Sequence, residues 1–274
     1  MTCTIMTDHL GWQRTEDRVV YRALPSGDDA VLFTLAFPAA GDGARDLQIH
    51  PGGEKSRTRC ATVIPSCALA GPEDLVAPLR AAGTVIRVAN PSLWDALATA
   101  IMRQVIQAGH ARDRYIRFCT AYGQPASRDG LTAWLFPSPE RILALSDNDF
   151  RRVGAAFPMP ALRAAARAYL DHGEKWNETD AVDLVPLLQR VPRIGPWTAK
   201  AALADHTGDF ALYPYTDLAV QTWARALNPD RKWPESPSAF KTAWEQIAGD
   251  HLSTWTLLTL AWGISHGKPA RSTS

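Results

Sequence analysis

Two stretches hold residues whose types and spacing can do chemistry: Val191-Pro-Arg-Ile-Gly-Pro-Trp-Thr-Ala199 and Tyr213-Pro-Tyr-Thr-Asp-Leu-Ala-Val220. In the first, Gly195-Pro196 predicts a tight turn that opens a helix, because proline fits a first helical position where its missing N–H costs nothing. The leading N–H groups of such a helix have no partner inside it. With the helix dipole they form a site for an anion, and a DNA phosphate is one natural ligand. Gly195 lets that ligand come close where a side chain would stand. An ordinary helical corner with no ligand is the plainer reading of the turn alone. The second stretch delivers one acid, Asp217, to the start of an apolar helix over 218–227. There it serves at least as an N-cap, and its carboxylate stays ionised through hydrogen bonds from backbone N–H groups. Asp205 and Asp209, between the stretches, read as solvated acids of a polar turn.

Composition narrows what such residues can serve. A chain of 274 residues, 46% of them hydrophobic, allows one large domain or two small ones. The net charge is only +1, so any nucleic-acid contact must be local. Ten Trp either fill cores or stack on bases. Cys3, Cys60, Cys67 and Cys119 form no zinc pattern and read as reduced thiols. With no secretory leader and no apolar segment long enough to span a bilayer, the chain reads as a soluble cytoplasmic bacterial protein that makes no membrane contact.

The elements that must position these residues change character along the chain. Residues 1–88 read as a small antiparallel β domain. Short β-branched or aromatic runs at 18–22, 30–37, 46–50 and 58–64 are separated by Gly-rich turns at 40–43 and 51–53. Residues 89–274 read as an all-α body, so the fold class expected is α+β. Asn90-Pro91 predicts a helix start, with Leu93, Leu97, Ile101 and Val105 recurring every four residues. Ser138-Pro139, Ser146 with Asp149, and Met159-Pro160 predict further starts. The helix after Pro160 is expected to end near Gly173, a helix over about 182–190 enters the turn, and two more follow Ser236-Pro237.

The turn and the acid together resemble the helix-hairpin-helix DNA glycosylases, closest to 3-methyladenine DNA glycosylase II. The resemblance covers about residues 90–267. It implies a hairpin that grips DNA through Arg193, Ile194, Gly195, Pro196 and Thr198. It makes Asp217, 20 residues past Trp197, the acid that promotes cleavage of the N-glycosidic bond, whose transition state builds positive charge on the sugar. Ala100-Ile-Met-Arg-Gln-Val-Ile106 matches the family loop that fills the gap left by a flipped base, with Gln104 as its glutamine and Val105 as the wedge. The alternative for Val105 is a core position in one continuous helix. Trp197 and Trp262 match aromatic walls of the lesion pocket, although core burial suits Trp262 equally. Ala201 stands where some relatives carry a larger aromatic, which implies a roomier pocket.

Two departures stand out: Arg103 and Arg193 replace family glycines. Arg193 either meets a phosphate or stays solvated. The helix entering the hairpin carries no lysine, so the resemblance implies hydrolysis by water without strand cleavage. It implies no required cofactor, a monovalent cation held by the carbonyls of Gln189, Val191 and Ile194, and a monomer acting on double-stranded DNA with a damaged, alkylated purine. A non-catalytic binder of damaged DNA and a glycosylase specialised for a bulky adduct remain as alternatives.

Overall fold

The computed structural model describes residues 3–17, 19–27, 29–36, 48–50, 61–215 and 217–266. The turns expected at 40–43 and 51–53, together with Cys60, Thr216 and the chain end from 267, lie outside them.

A four-stranded antiparallel sheet runs in the order β2 (Gln13–Arg14), β3 (Val20–Ser26), β4 (Asp29–Ala36), β5 (Gln48–His50). Alternation along β4 explains its two buried faces. Phe33 and Leu35 join Ile5, Trp12, Val20, Leu24 and Val88 in one cluster, with Val31 against it. Leu32 faces the other way, onto Ala23, Ala126 and Ala133. The last two belong to a hairpin, β8 (Pro125–Arg128) and β9 (Leu131–Trp134), that the sequence reading did not resolve within the helical half. A second sheet joins β1 (Cys3–Met6), β7 (Thr84–Val88) and β6 (Ala61–Ile64), and its β1–β7 pair is parallel. The α+β class holds, with these strands leading into a helical body.

In that body α2 (Leu93–Met102) is buried along its whole length. It lies antiparallel to α8 (Pro196–Thr207): Asn90 N donates to the Asp205 carbonyl at one end, and Gln104 meets Thr198 at the other. Around this pair run α1 (Glu73–Ala82), α3 (Ala108–Tyr122), α4 (Pro139–Ala144), α5 (Asp147–Arg152), α6 (Met159–Glu178), α7 (Ala181–Leu188), α9 (Leu218–Leu227), α10 (Pro237–Ala248) and α11 (Leu252–His266). The N-cap of α2 is Ser92, not Asn90, whose side chain is drawn instead to Asp95 at 3.1 Å and Asp205 at 2.9 Å. The helix expected to end near Gly173 continues to Glu178, because Gly173 is buried against the Tyr169 ring and Trp176 carries the buried stripe onward. Ser146 and Asp149 form the expected capping box. Helices α9 and α11 meet closely at Gly263, where a Cβ would stand 2.3 Å from the Trp223 ring. That close approach seats α9, and with it the residue at its N-terminus.

Candidate active site

α8 begins as its sequence requires. Gly195 is the N-cap, with φ −86° and ψ 177°, and Pro196 is the first helical residue. Val191 and Ile194 are buried anchors of the turn, and Ile194 N–H donates to the Val191 carbonyl at 3.1 Å. Arg193, Gly195 and Pro196 are exposed. The backbone at Gly195 is open to any residue, and a Cβ there would meet nothing within 4 Å. Arg193 is the position that needs glycine-like freedom, with φ +70°. The left-handed region costs a residue with a Cβ on the order of 1–2 kcal/mol. The turn thus keeps the conformation that a glycine would favour while presenting a guanidinium.

Gln104 ties this hairpin to the end of α2, donating from Nε2 to Thr198 Oγ1 at 2.8 Å and to the Arg193 carbonyl at 3.2 Å. Thr198 is buried and its hydroxyl serves Gln104, so its side chain is not presented to a ligand. The Ile194 side chain is likewise buried, which leaves the backbone as the part of either residue that a phosphate can reach. Val105 does not belong to a continuous helix. α2 has ended at Met102, and Val105 stands at φ +53° with 92% of its surface exposed. A β-branched residue in that region is a strained outlier. Here it forms an apolar tip beside the hairpin.

Asp217 caps α9 through Oδ1, which accepts from Ala219 N at 2.8 Å. Its Oδ2 accepts from Trp197 Nε1 at 2.9 Å and from the Tyr213 hydroxyl at 2.8 Å. The hairpin helix and the loop before α9 therefore meet at one half-buried carboxylate. Tyr213 in turn accepts from an Arg103 guanidinium N–H at 3.2 Å, and that guanidinium lies over the Trp197 ring, 5.5 Å from its centroid. Burial works against the Arg103 charge. The facing Tyr213 and Asp217 more than offset it and hold the guanidinium firmly cationic. Burial and the adjacent Asp217 carboxylate push the Tyr213 hydroxyl above its ordinary pKa, so it remains a donor. Neither residue was assigned from the sequence. The available signals were Arg103 in place of a family glycine and a tyrosine four residues before the acid.

Two expectations change, at Ala201 and at Asp205. Ala201 is 3% exposed and faces α2, and the space beside it, bounded by Ala100, Thr99 and Arg103, is about 10 Å³. The room freed by a small residue is taken up by the neighbouring helix and by Arg103, so no roomy pocket opens there. Trp262 is half-buried on α11, where its ring stacks on His266 at 5.0 Å. Among the described residues no hydrogen bond or ring contact joins it to Trp197 or Asp217. Asp205 is not solvated. It lies on α8 and pairs with Arg87 at 2.7 Å, the Asp205 side chain being 13% exposed.

No protein-family model matches the chain. Among solved structures, the 3-methyladenine DNA-glycosylase from Archaeoglobus fulgidus aligns with a TM-score of 0.71 at 18% identity, covering 95% of this chain and 91% of that one. The Clostridium acetobutylicum 8-oxoguanine glycosylase/lyase, in complex with double-stranded DNA containing cytosine opposite 8-oxoG, aligns with a TM-score of 0.70 at 12% identity. That match covers 94% of this chain and 89% of the other. The chain shares the fold of these solved DNA glycosylases. Curated relatives agree in kind. A Bacillus subtilis (strain 168) protein provisionally named DNA-3-methyladenine glycosylase YfjP is 28% identical over 145 residues, 51% of this chain and 48% of that one. A second B. subtilis (strain 168) protein, named DNA-3-methyladenine glycosylase, is 26% identical over 135 residues, 47% of this chain and 44% of that protein. The chain spans about half the length of these curated relatives.

Proposed function

We propose that the protein is a monofunctional DNA glycosylase that hydrolyses the N-glycosidic bond of a damaged purine in duplex DNA, as a step of base excision repair. The observation that carries this reading is the convergence of Trp197, Tyr213 and the α9 N-terminus on the Asp217 carboxylate, beside a hairpin whose helix end is open. Cleavage develops positive charge on the deoxyribose. A fixed carboxylate stabilises that charge and orients a water for attack at C1′. The three hydrogen bonds to Asp217 spare it reorganisation during the reaction. The unpartnered N–H groups at the start of α8 suit a DNA phosphate, Arg193 adds a charge-assisted contact at the same turn, and the exposed Val105 suits the space a flipped base vacates.

The carbonyls of Gln189, Val191 and Ile194 at this turn suit a monovalent cation, because they are neutral oxygens with no carboxylate among them. One lone pair of Val191 is already used by Ile194 N–H. Such an ion would support the turn and takes no part in the chemistry.

α7 contains no lysine, which supports water as the nucleophile rather than a Schiff base. The test is to incubate the protein with duplex DNA carrying alkylated and deaminated purines and identify released material by mass spectrometry. Free purine base with an unbroken strand, and no protein trapped on DNA by borohydride, is the expected result. Binding without base release would make the protein a damage binder, and efficient trapping would point to an amine such as Lys200.

A further inference from the structure

The geometry points to Arg103 as the residue that sets the charge of the base this site accepts: an uncharged lesion rather than a cationic one. The inference rests on reading the Trp197–Asp217 site as the place where the base is cut.

Three observations converge on it. Arg103 follows the end of α2, lines the same small space as the buried Ala201 and lies over the Trp197 ring. A ring face next to a carboxylate would otherwise attract a cation. A base alkylated on a ring nitrogen carries a positive charge in the nucleotide, and such an electron-poor base would be the natural guest of that face. Here the face already has a resident cation. Arg103 is also fixed, because its guanidinium donates to Tyr213, which donates to Asp217. The like charge of an incoming cationic base would therefore meet a guanidinium in a half-buried setting, where repulsion is poorly screened. Finally, among the described residues the Arg103 guanidinium donates to one side-chain acceptor, the Tyr213 hydroxyl, and a guanidinium has five N–H donors in a rigid fork. The remaining donors suit the ring nitrogens and carbonyl oxygens of a neutral purine.

The chemistry makes the distinction consequential. A cationic base leaves as a neutral molecule and needs no help with its electrons. A neutral base takes the electron pair of the broken C1′–N bond and departs with negative charge. Water adds its oxygen to C1′, and its proton ends on the base, so base–sugar plus water gives protonated base plus the abasic hydroxyl. A fixed cation beside the leaving group stabilises the departing anion, while Asp217 stabilises the sugar cation. Arg103 and Asp217 then act on opposite ends of the same bond.

Single-turnover excision from two duplexes differing at one purine tests this, with 7-methylguanine as the cationic probe and hypoxanthine as the uncharged one. Wild type should favour hypoxanthine. Arg103→Met should move the ratio toward 7-methylguanine by about tenfold or more, and Arg103→Lys, which keeps the charge, should leave it near wild type. If Arg103→Met fails to fold by its melting curve, Arg103→Gln replaces it. An unchanged ratio in the uncharged variant, or a wild type that prefers 7-methylguanine, overturns the proposal. If wild type releases neither base, the same duplexes are compared by equilibrium binding. An affinity preference for hypoxanthine that disappears with the charge at 103 keeps the specificity and removes the reaction. Equal affinities in both proteins remove the specificity.

Discussion

Asp95 and Asp217 both sit at helix starts, and both receive hydrogen bonds from side chains distant in sequence. Asp95 is 5% exposed and is saturated. Oδ1 accepts from the Tyr115 hydroxyl at 2.8 Å, while Oδ2 meets Arg22, Asn90 and His9 at 3.3, 3.1 and 3.1 Å. Gly11 N–H donates to His9 Nδ1 at 3.0 Å, which leaves Nε2 as the proton-bearing nitrogen facing the acid. Burial opposes the Asp95 charge, but His9, Arg22 and Tyr115 outweigh it and hold the carboxyl well below the usual range. Asp217 is half-buried and accepts three hydrogen bonds where a carboxylate has about four lone-pair sites. One carboxylate is closed and organises a fold; the other is held at its edges and keeps capacity for a substrate. Access and a spare acceptor separate the two roles.

The comparison can be broken first at Asp95. Replacing it with alanine strands Arg22 in the interior and should cost about 3–5 kcal/mol in urea unfolding, while protein that remains folded excises normally. The sign of the pH effect follows from the depressed folded pKa. Stability from Asp95 is fully present above the ordinary aspartate value of about 4 and is lost as pH falls below it toward the folded value. A stability profile flat down to strongly acid pH would contradict the saturated network.

Asp217→Asn should do the reverse, losing about 10²–10³-fold in single-turnover excision with little change in melting temperature. Near wild-type excision would remove Asp217 from the chemistry. Gly263→Ala sharpens the contrast, because Asp217 depends on how α9 sits against α11. The added methyl would force Trp223 aside, costing about 1–3 kcal/mol and slowing excision together with the loss of stability. A neutral result would show that α9 is seated by other contacts. The smallest effect is expected at Arg193. Its change to glycine relieves a strained backbone but frees the unfolded chain, so stability should shift by less than about 1 kcal/mol. The slope of log affinity for DNA against log salt should fall by about one. An unchanged slope would mean that this guanidinium meets no phosphate.

Much of this was legible where local rules act alone. The helix after Asp217, the Pro196 start and the Ser146–Asp149 box all follow from short-range capping and periodicity. The pairing of Gln104 with the hairpin follows from no local rule. Asn90 looked like a cap because its partner Asp205 lies over a hundred residues away, and tertiary contact overrode the local preference. Val105 fitted a helical period, yet the chain turns out of the helix before reaching it. Arg103 and Tyr213 had no visible role until the folded chain placed both beside Asp217. The roomy pocket inferred from Ala201 failed because a small residue on one helix says nothing about what a neighbouring helix contributes.

Asn90 has a consequence for how the protein can be cut and recombined. Its amide bridges Asp95 and Asp205, whose cations Arg22 and Arg87 are supplied by β3 and β7, with His9 from the segment after β1. A helical half severed before Asn90 would inherit two interior acids and none of their counter-ions. It would have to protonate them or admit water between α2 and α8, the pair that carries the hairpin. Transplanting the helical half onto another set of strands therefore means transplanting those three side chains as well, or neutralising both acids in the same step. The strands at the start of the chain serve the helices as an internal electrolyte.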